Sequence, residues 1–416
     1  MKTLTRSLAL SLTAAMLLAG NAYAQHWSQM QNYRAPGTAG LNVFEPAKDE
    51  NKGFDGLVVR VGGDFAVAFQ GLSQSNDAGD LVELANNLAL PTANLNLDVQ
   101  FEEGLRMHLR TYLSSKHHNE AWVKGGYFQL DNLDFISEGF LEELMEYTRF
   151  RFGMDEINYG DTHFRRSDNA AALYNPFVGN FIMDAFTTEP FAEITVMNNG
   201  VLAVAGVSNG RLNQSPVSGD NGISIFGKVG YDSQVNHVLR VRVTGSAYHS
   251  SDKSTRDFLY NGDRAGSRYH SILETAESTN DFLPRFNPGF ASQTAFQVNP
   301  FVKFQGLELF GVVEMASGGA EGAGSYTQLG GEMLYRFGNS ERFYVGGRYN
   351  TVDGEATDGG PDQQIQRVSV GGGWFISPYV LTKAEYVTQT YDGAGFTDLF
   401  EGAEFSGVVV EAVISF

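Results

Sequence analysis

The feature that most constrains this chain is an alternation of apolar and polar side chains with a period of two, sharpest in its last ten residues. From Gly407 to Phe416, Val408, Val410, Ala412, Ile414 and Phe416 share one parity, and Gly407, Val409, Glu411, Val413 and Ser415 share the other. Such a period marks a β-strand with two different faces. Residues 94–113 sort in the same way: Leu95, Leu97, Val99, Phe101, Leu105, Met107 and Leu109 oppose Asn94, Asn96, Asp98, Gln100, Glu102, Arg106, His108 and Arg110. That run is long enough to cross a bilayer, which takes about 9 to 11 residues of tilted strand. The pattern returns at 239–247, 342–349 and 367–376.

The N-terminus supplies an address. Lys2 and Arg6 precede the apolar run from Leu8 to Leu18, and Ala22-Tyr23-Ala24 puts small residues at the cleavage positions, so residues 1–24 read as a signal peptide. The run is shorter than the roughly 20 residues of a spanning helix, and Gln25 in place of Cys argues against a lipoprotein. No later apolar run reaches helix-spanning length. An exported chain held in a membrane must then close its strands into a barrel, because only helices and edgeless sheets satisfy every backbone group in lipid. The expected organisation is a signal peptide at 1–24, an irregular segment at 25–54 that is disordered or lies in the barrel, and an all-β transmembrane antiparallel barrel at 55–416. Its home would be the Gram-negative outer membrane. The terminal Phe416 behind alternating apolar residues resembles the signature that barrel-insertion machinery recognises.

Composition fits this reading and excludes others. Without cysteine the chain is neither a disulfide scaffold nor a thiolate metal site. With 48 acids against 29 bases, a net charge of -19 argues against general nucleic-acid binding. Only 19% of residues are charged, yet mean hydropathy is -0.21. A barrel averages in this way because each strand alternates lipid-facing and lumen-facing residues.

Turn signals alternate between short and long. Short ones fall at 198–200, 232–235, 305–306, 338–340 and 377–378, and longer ones at 211–222, 250–291, 317–325, 353–363 and 392–403. Fifteen strands can be placed, and even parity asks for one more around 176–186, giving about sixteen within a range of roughly 14 to 18. Residues 77–90 and 138–147 carry helical spacing and are predicted as short helices in connections, either as a plug or packed on the rim.

Strand parity also sorts the charges. Fifteen bases point inward, among them Arg60, Arg106, Arg110, Lys124, Arg149, Arg151, Arg240, Arg242, Arg342, Arg348 and Arg367, against nine acids. Basic residues on a pore wall favour anions; the plain alternative is that they pair with acids across strands. His163-Phe164-Arg165-Arg166 lies in the long connection before Phe191. If that connection folds inward, His163, Arg165 and Arg166 line a constriction; if it stays outside, they are rim charges.

A family resemblance enters on these residues. Arg149-Phe150-Arg151-Phe152-Gly153-Met154, then Phe164-Arg165-Arg166-Ser167-Asp168, then Asn209-Gly210 closing an apolar strand, resemble in order and spacing the phosphate-selective (porin O and P type) family over roughly residues 55 to 416. The resemblance implies a sixteen-stranded trimeric porin with a basic lumen and an inward-folded loop. It also implies Arg149 and Arg151 on the wall and Arg165 and Arg166 near the constriction. Where that family carries a basic residue and Pro-Phe after the glycine, this chain has Asp155-Glu156-Ile157.

Other classes fit less well. Tyr248-His249-Ser250 and Tyr269-His270-Ser271 place His beside Ser, but no G-x-S-x-G elbow accompanies them. Asp353, Glu355, Asp358 and Asp362 lack the ordered spacing of a calcium loop and read as a solvated outer loop. The loop at 250–291 could be a recognition surface of a structural or adhesive barrel. The expected function is an outer-membrane porin passing small hydrophilic solutes, with a preference for phosphate-like anions, no enzyme activity and no cofactor. Its expected partners are outer-membrane lipid, those solutes, a homotrimer and the insertion machinery.

Overall fold

A computed structural model describes residues 30–48, 53–113, 122–210, 222–251, 257–261, 268–277 and 284–416. The expected signal peptide lies outside the described residues. Among them sixteen strands form: β1 (Val58–Ser75), β2 (Asn87–Glu102), β3 (Leu105–Leu113), β4 (Trp122–Leu130), β5 (Thr148–Glu156), β6 (Thr188–Asn198), β7 (Val201–Ser208) and β8 (Ser224–Asn236). They continue as β9 (Leu239–Ser250), β10 (Gln293–Phe304), β11 (Leu307–Gly318), β12 (Ala323–Phe337), β13 (Phe343–Thr357), β14 (Asp362–Ser377), β15 (Val380–Asp392) and β16 (Glu404–Ser415). Each pairs antiparallel with its chain neighbour, and β1 closes on β16, so the sheet has no edge. At this seam the N–H groups of Gly63 and Phe416 each donate to the other's carbonyl at 3.0 Å.

The expected number and alternation of strands are present, with local corrections. Residues 176–186 are not a strand but part of the β5–β6 connection, and they lie buried inside the barrel. The turn expected at 232–235 falls within β8, and the reversal comes at His237 and Val238. Residues 77–86 are not helical, and β2 already begins at Asn87. In the other predicted helix only Glu142–Met145 closes a turn, at the short-turn rim.

Parity sets the two faces. On β16, Val408, Val410 and Ile414 are exposed on the outside while Val409, Glu411 and Val413 are buried inside. Outward aromatic side chains gather at the short-turn rim, where Tyr335, Phe337, Phe343 and Trp374 stack in sequence with centroids 5.8 to 6.4 Å apart. Aromatic rings at this level form the girdle of a membrane barrel.

The interior is not an open tube. Residues 30–48 cross it near the short-turn mouth, 157–187 fold into its middle, and parts of the β9–β10 connection enter from the long-loop end. These inserts bring their own apolar core: Val178, Ile182, Leu259, Tyr260, Tyr269 and Ile272 pack on inward Val352, Ile365, Val387 and Phe405. Small wall residues make room for them. A Cβ on Gly330 of β12 would come within 2.6 Å of the Phe181 ring. Gly330→Leu is therefore expected to push Phe181 off the wall and lower stability by about 1–3 kcal/mol, the cost of overpacking. A denaturant unfolding curve unchanged from that of the intact protein would show that the contact does not hold the loop.

Candidate functional site: the occupied lumen

The charged wall divides into two parts that do different work. On β11–β16 the side chains clamp the inward loop. Glu385 accepts hydrogen bonds from the N–H groups of Val178 and Gly179 at 2.8 and 3.1 Å and from the Tyr269 hydroxyl at 3.1 Å. Asn350 and Gln328 accept those of Ile182 and Met183 at 2.7 and 2.9 Å. Lys383 donates to the carbonyls of Ala172, Asn175 and Phe177 within 3.0 Å and pairs with Glu411 at 2.9 Å. Arg348 reaches the Gly179 carbonyl at 2.6 Å and Glu332 at 2.5 Å, and Arg367 holds the Asn180 carbonyl and Gln389. A loop lacking regular structure must satisfy its buried backbone groups through such partners.

His163, Arg165 and Arg166, the triad expected at a constriction, are buried within the barrel and engaged with other side chains. Arg165 donates to Glu308 at 2.7 Å and Glu332 at 3.0 Å and to the Asn42 side chain. Burial opposes its ionisation, but Glu308 and Glu332 outweigh that and raise its pKa above the ordinary value. Arg166 forks onto Asp184 at 3.1 and 2.6 Å, with its guanidinium 3.8 Å from the Phe186 ring centroid. His163 lies against Phe164 and within 3.2 Å of Asn158.

The N-terminal segment is bonded across the short-turn mouth. Gln31 exchanges hydrogen bonds with Gln100 at 2.7 and 2.9 Å, and Asn42 donates to Glu308 at 2.7 Å. Glu45 pairs with Arg242 at 2.7 Å and Lys228 at 3.1 Å, the same two bases that hold Asp161 of the inward loop. Burial alone would raise the Glu45 pKa, but Lys228 and Arg242 outweigh it and hold the carboxyl below the usual carboxylate range. Arg240 forks onto Asp232 at 2.7 and 2.8 Å and donates to the Asn42 carbonyl at 2.9 Å.

A cavity of about 140 Å³ lies within the lumen on the β1–β6 side. Six arginines line it, Arg34, Arg60, Arg106, Arg110, Arg149 and Arg151, against three glutamates, Glu45, Glu156 and Glu193. Asp98, Asp131 and Asp155 stand behind the arginines, pairing with Arg60 at 3.1 Å, Arg149 at 2.7 Å and Arg110 at 2.9 Å. Further out, Lys124 pairs with Asp168. The Nε of Arg106, the Nε of Arg110 and Nη2 of Arg149 are buried with no hydrogen-bond partner among the described residues. Unmet donors of this kind suit an acceptor-rich solute.

Of the expected wall bases, Arg342 lies elsewhere: it is exposed in the turn before β13, donating to the carbonyls of Phe375 and Ile376 at 3.1 and 2.8 Å. The count of inward charge also shifts. Sorting by parity passed over buried Asp155, Glu189 and Glu193 on the strands, and the inserts add Glu45, Asp161, Asp168 and Asp184. Tyr33, Arg34 and Glu45 were missed as lining residues because they come from a segment without period.

No protein-family model matches the chain, and no curated protein matches it. Solved structures do resemble it. OmpT, an outer membrane protein of Vibrio cholerae in a trimer form, superposes with a TM-score of 0.54 at 13% identity, covering 87% of this chain and 100% of that one. The anion-selective porin from Comamonas acidovorans gives 0.53 at 12% identity over 86% of this chain and all of that one. The outer membrane channel DcaP of Acinetobacter baumannii gives 0.53 at 12% over 87% and 98%. At such identities the likeness is one of fold, and the fold is that of a porin-like outer-membrane β-barrel.

Proposed function

We propose that this protein is an outer-membrane channel for passive diffusion of small hydrophilic solutes, with a preference for small anions of the phosphate type. The observation that carries the preference is the cavity in which six arginines face three glutamates. A solute there meets the guanidiniums before the carboxylates behind them, which lowers the cost of anion entry. A homotrimer, inserted with the help of the exposed Phe416, belongs to the same reading, supported by the trimer form of a similar barrel.

Channel rather than enzyme is the better reading of the His-Ser pairs. His249 and Ser250 are consecutive on β9, so the strand sends them to opposite faces. His249 is exposed and bonded to Thr294 at 2.9 Å, whereas Ser250 is buried. A second reading, a non-conducting structural or adhesive barrel, draws on the inserts that fill the lumen from three directions.

Planar-bilayer recording separates these readings. The expected result is small, discrete conductance steps with a reversal potential in a KCl gradient that favours chloride. Absence of steps would establish the non-conducting barrel, and a cation-favouring potential would reject the anion preference.

A further inference from the structure

At the long-loop end a second pocket, about 530 Å³ in volume, opens between the connections that leave β13 and β15. Two groups of aromatic rings line it. Phe286 stands edge-on to Tyr326 at 4.8 Å, while Tyr391, Phe396 and Phe400 pack on one another at 5.3 to 6.1 Å. Gln363 ties the groups together, accepting from the Tyr326 hydroxyl at 2.5 Å and donating to the Gly395 carbonyl at 2.7 Å. Tyr326, Tyr391 and Phe396 are buried and fix the framework, whereas Phe286 and Phe400 are only half-buried and turn ring surface to the pocket. Exposed Asn287 and Thr397 add an amide and a hydroxyl at the rim.

Charge narrows the class of occupant. Residues 353–362 and 392–404 together carry eight carboxylates and no Lys or Arg, a local field that disfavours an anion in this pocket. Arg285 lines the pocket and disfavours a cation inside it. A ligand without polar groups would strip water from the exposed Asn287 and Thr397 and return no hydrogen bond. A neutral pyranose ring meets all three conditions, since its C–H faces stack on aromatic rings while its hydroxyls bond at the periphery. We infer that this pocket binds a neutral sugar, held between the two ring groups at the long-loop mouth of the barrel.

The test is calorimetric titration of the intact protein in detergent micelles with maltotetraose, cellotetraose and chitotetraose, beside tetragalacturonate and choline as charged comparisons. At least one neutral oligosaccharide is expected to bind at a single site, more tightly than either charged probe. Phe286→Ala should weaken it about tenfold. Thr397→Arg changes an exposed rim position without touching the buried rings, and should abolish sugar binding. The proposal is overturned if no neutral probe binds, if a charged probe binds more tightly, or if Thr397→Arg retains the affinity of the intact protein.

Discussion

Deleting residues 30–48 is expected to raise single-channel conductance by roughly threefold or more, since a sixteen-strand barrel is wide enough for an aqueous channel once cleared. The segment spans the short-turn mouth, bonded to Gln100 on one wall and to Arg240 and Arg242 on another. Phe44 packs edge-on against Phe164 and Phe301 with centroids 5.7 and 5.4 Å away. Glu45 is its electrostatic anchor. Because its folded-state pKa is depressed, the stability it contributes is complete above the ordinary value of 4.5 and falls away as pH drops through the lower folded value. The anchor therefore holds at neutral and mildly acidic pH. Glu45→Gln should loosen it at pH 7, seen as larger or noisier conductance steps. A deletion variant that conducts like the intact chain would place the limiting barrier in the inward loop instead.

The second large effect is expected at Arg165. Its guanidinium joins Glu308 and Glu332, which are also held by Arg336 at 2.9 Å and Arg348 at 2.5 Å. Arg165→Ala leaves two buried carboxylates sharing two bases that are already engaged. Breaking a buried pair in this way costs about 3–5 kcal/mol. It should also move the reversal potential toward cations, with the chloride-to-potassium permeability ratio falling roughly threefold. Arg165→Lys keeps the charge but loses the fork, so stability should fall while selectivity stays close to that of the intact protein. An anion preference unaltered in Arg165→Ala would remove this residue from the conduction path.

The wall was legible in the sequence because a strand's two faces are written in its parity. Val408 and Val409, one residue apart, fall on the lipid and lumen sides as their alternation demands. The lumen was far less legible. Phe177, Val178, Phe181, Ile182 and Phe186 look like material for a strand, yet they are the apolar filling of an irregular loop. Burial inside the barrel is available to any side chain whose backbone finds partners, and those partners sit on strands some 150 to 200 residues away, such as Glu385 and Asn350. Parity also assigns a side chain to a face without naming its partner. It turns Arg149 inward but does not show that Asp131, in the preceding connection, pairs with it.

The seam between β1 and β16 has a consequence for assembly. Its pairing, from Asp64 with Ser415 to Ser75 with Glu404, joins the two ends of the described barrel. Until those two strands meet, both present unpaired backbone edges, and an open edge is a template for pairing with other chains. Half a barrel would therefore be an aggregation hazard rather than a smaller channel.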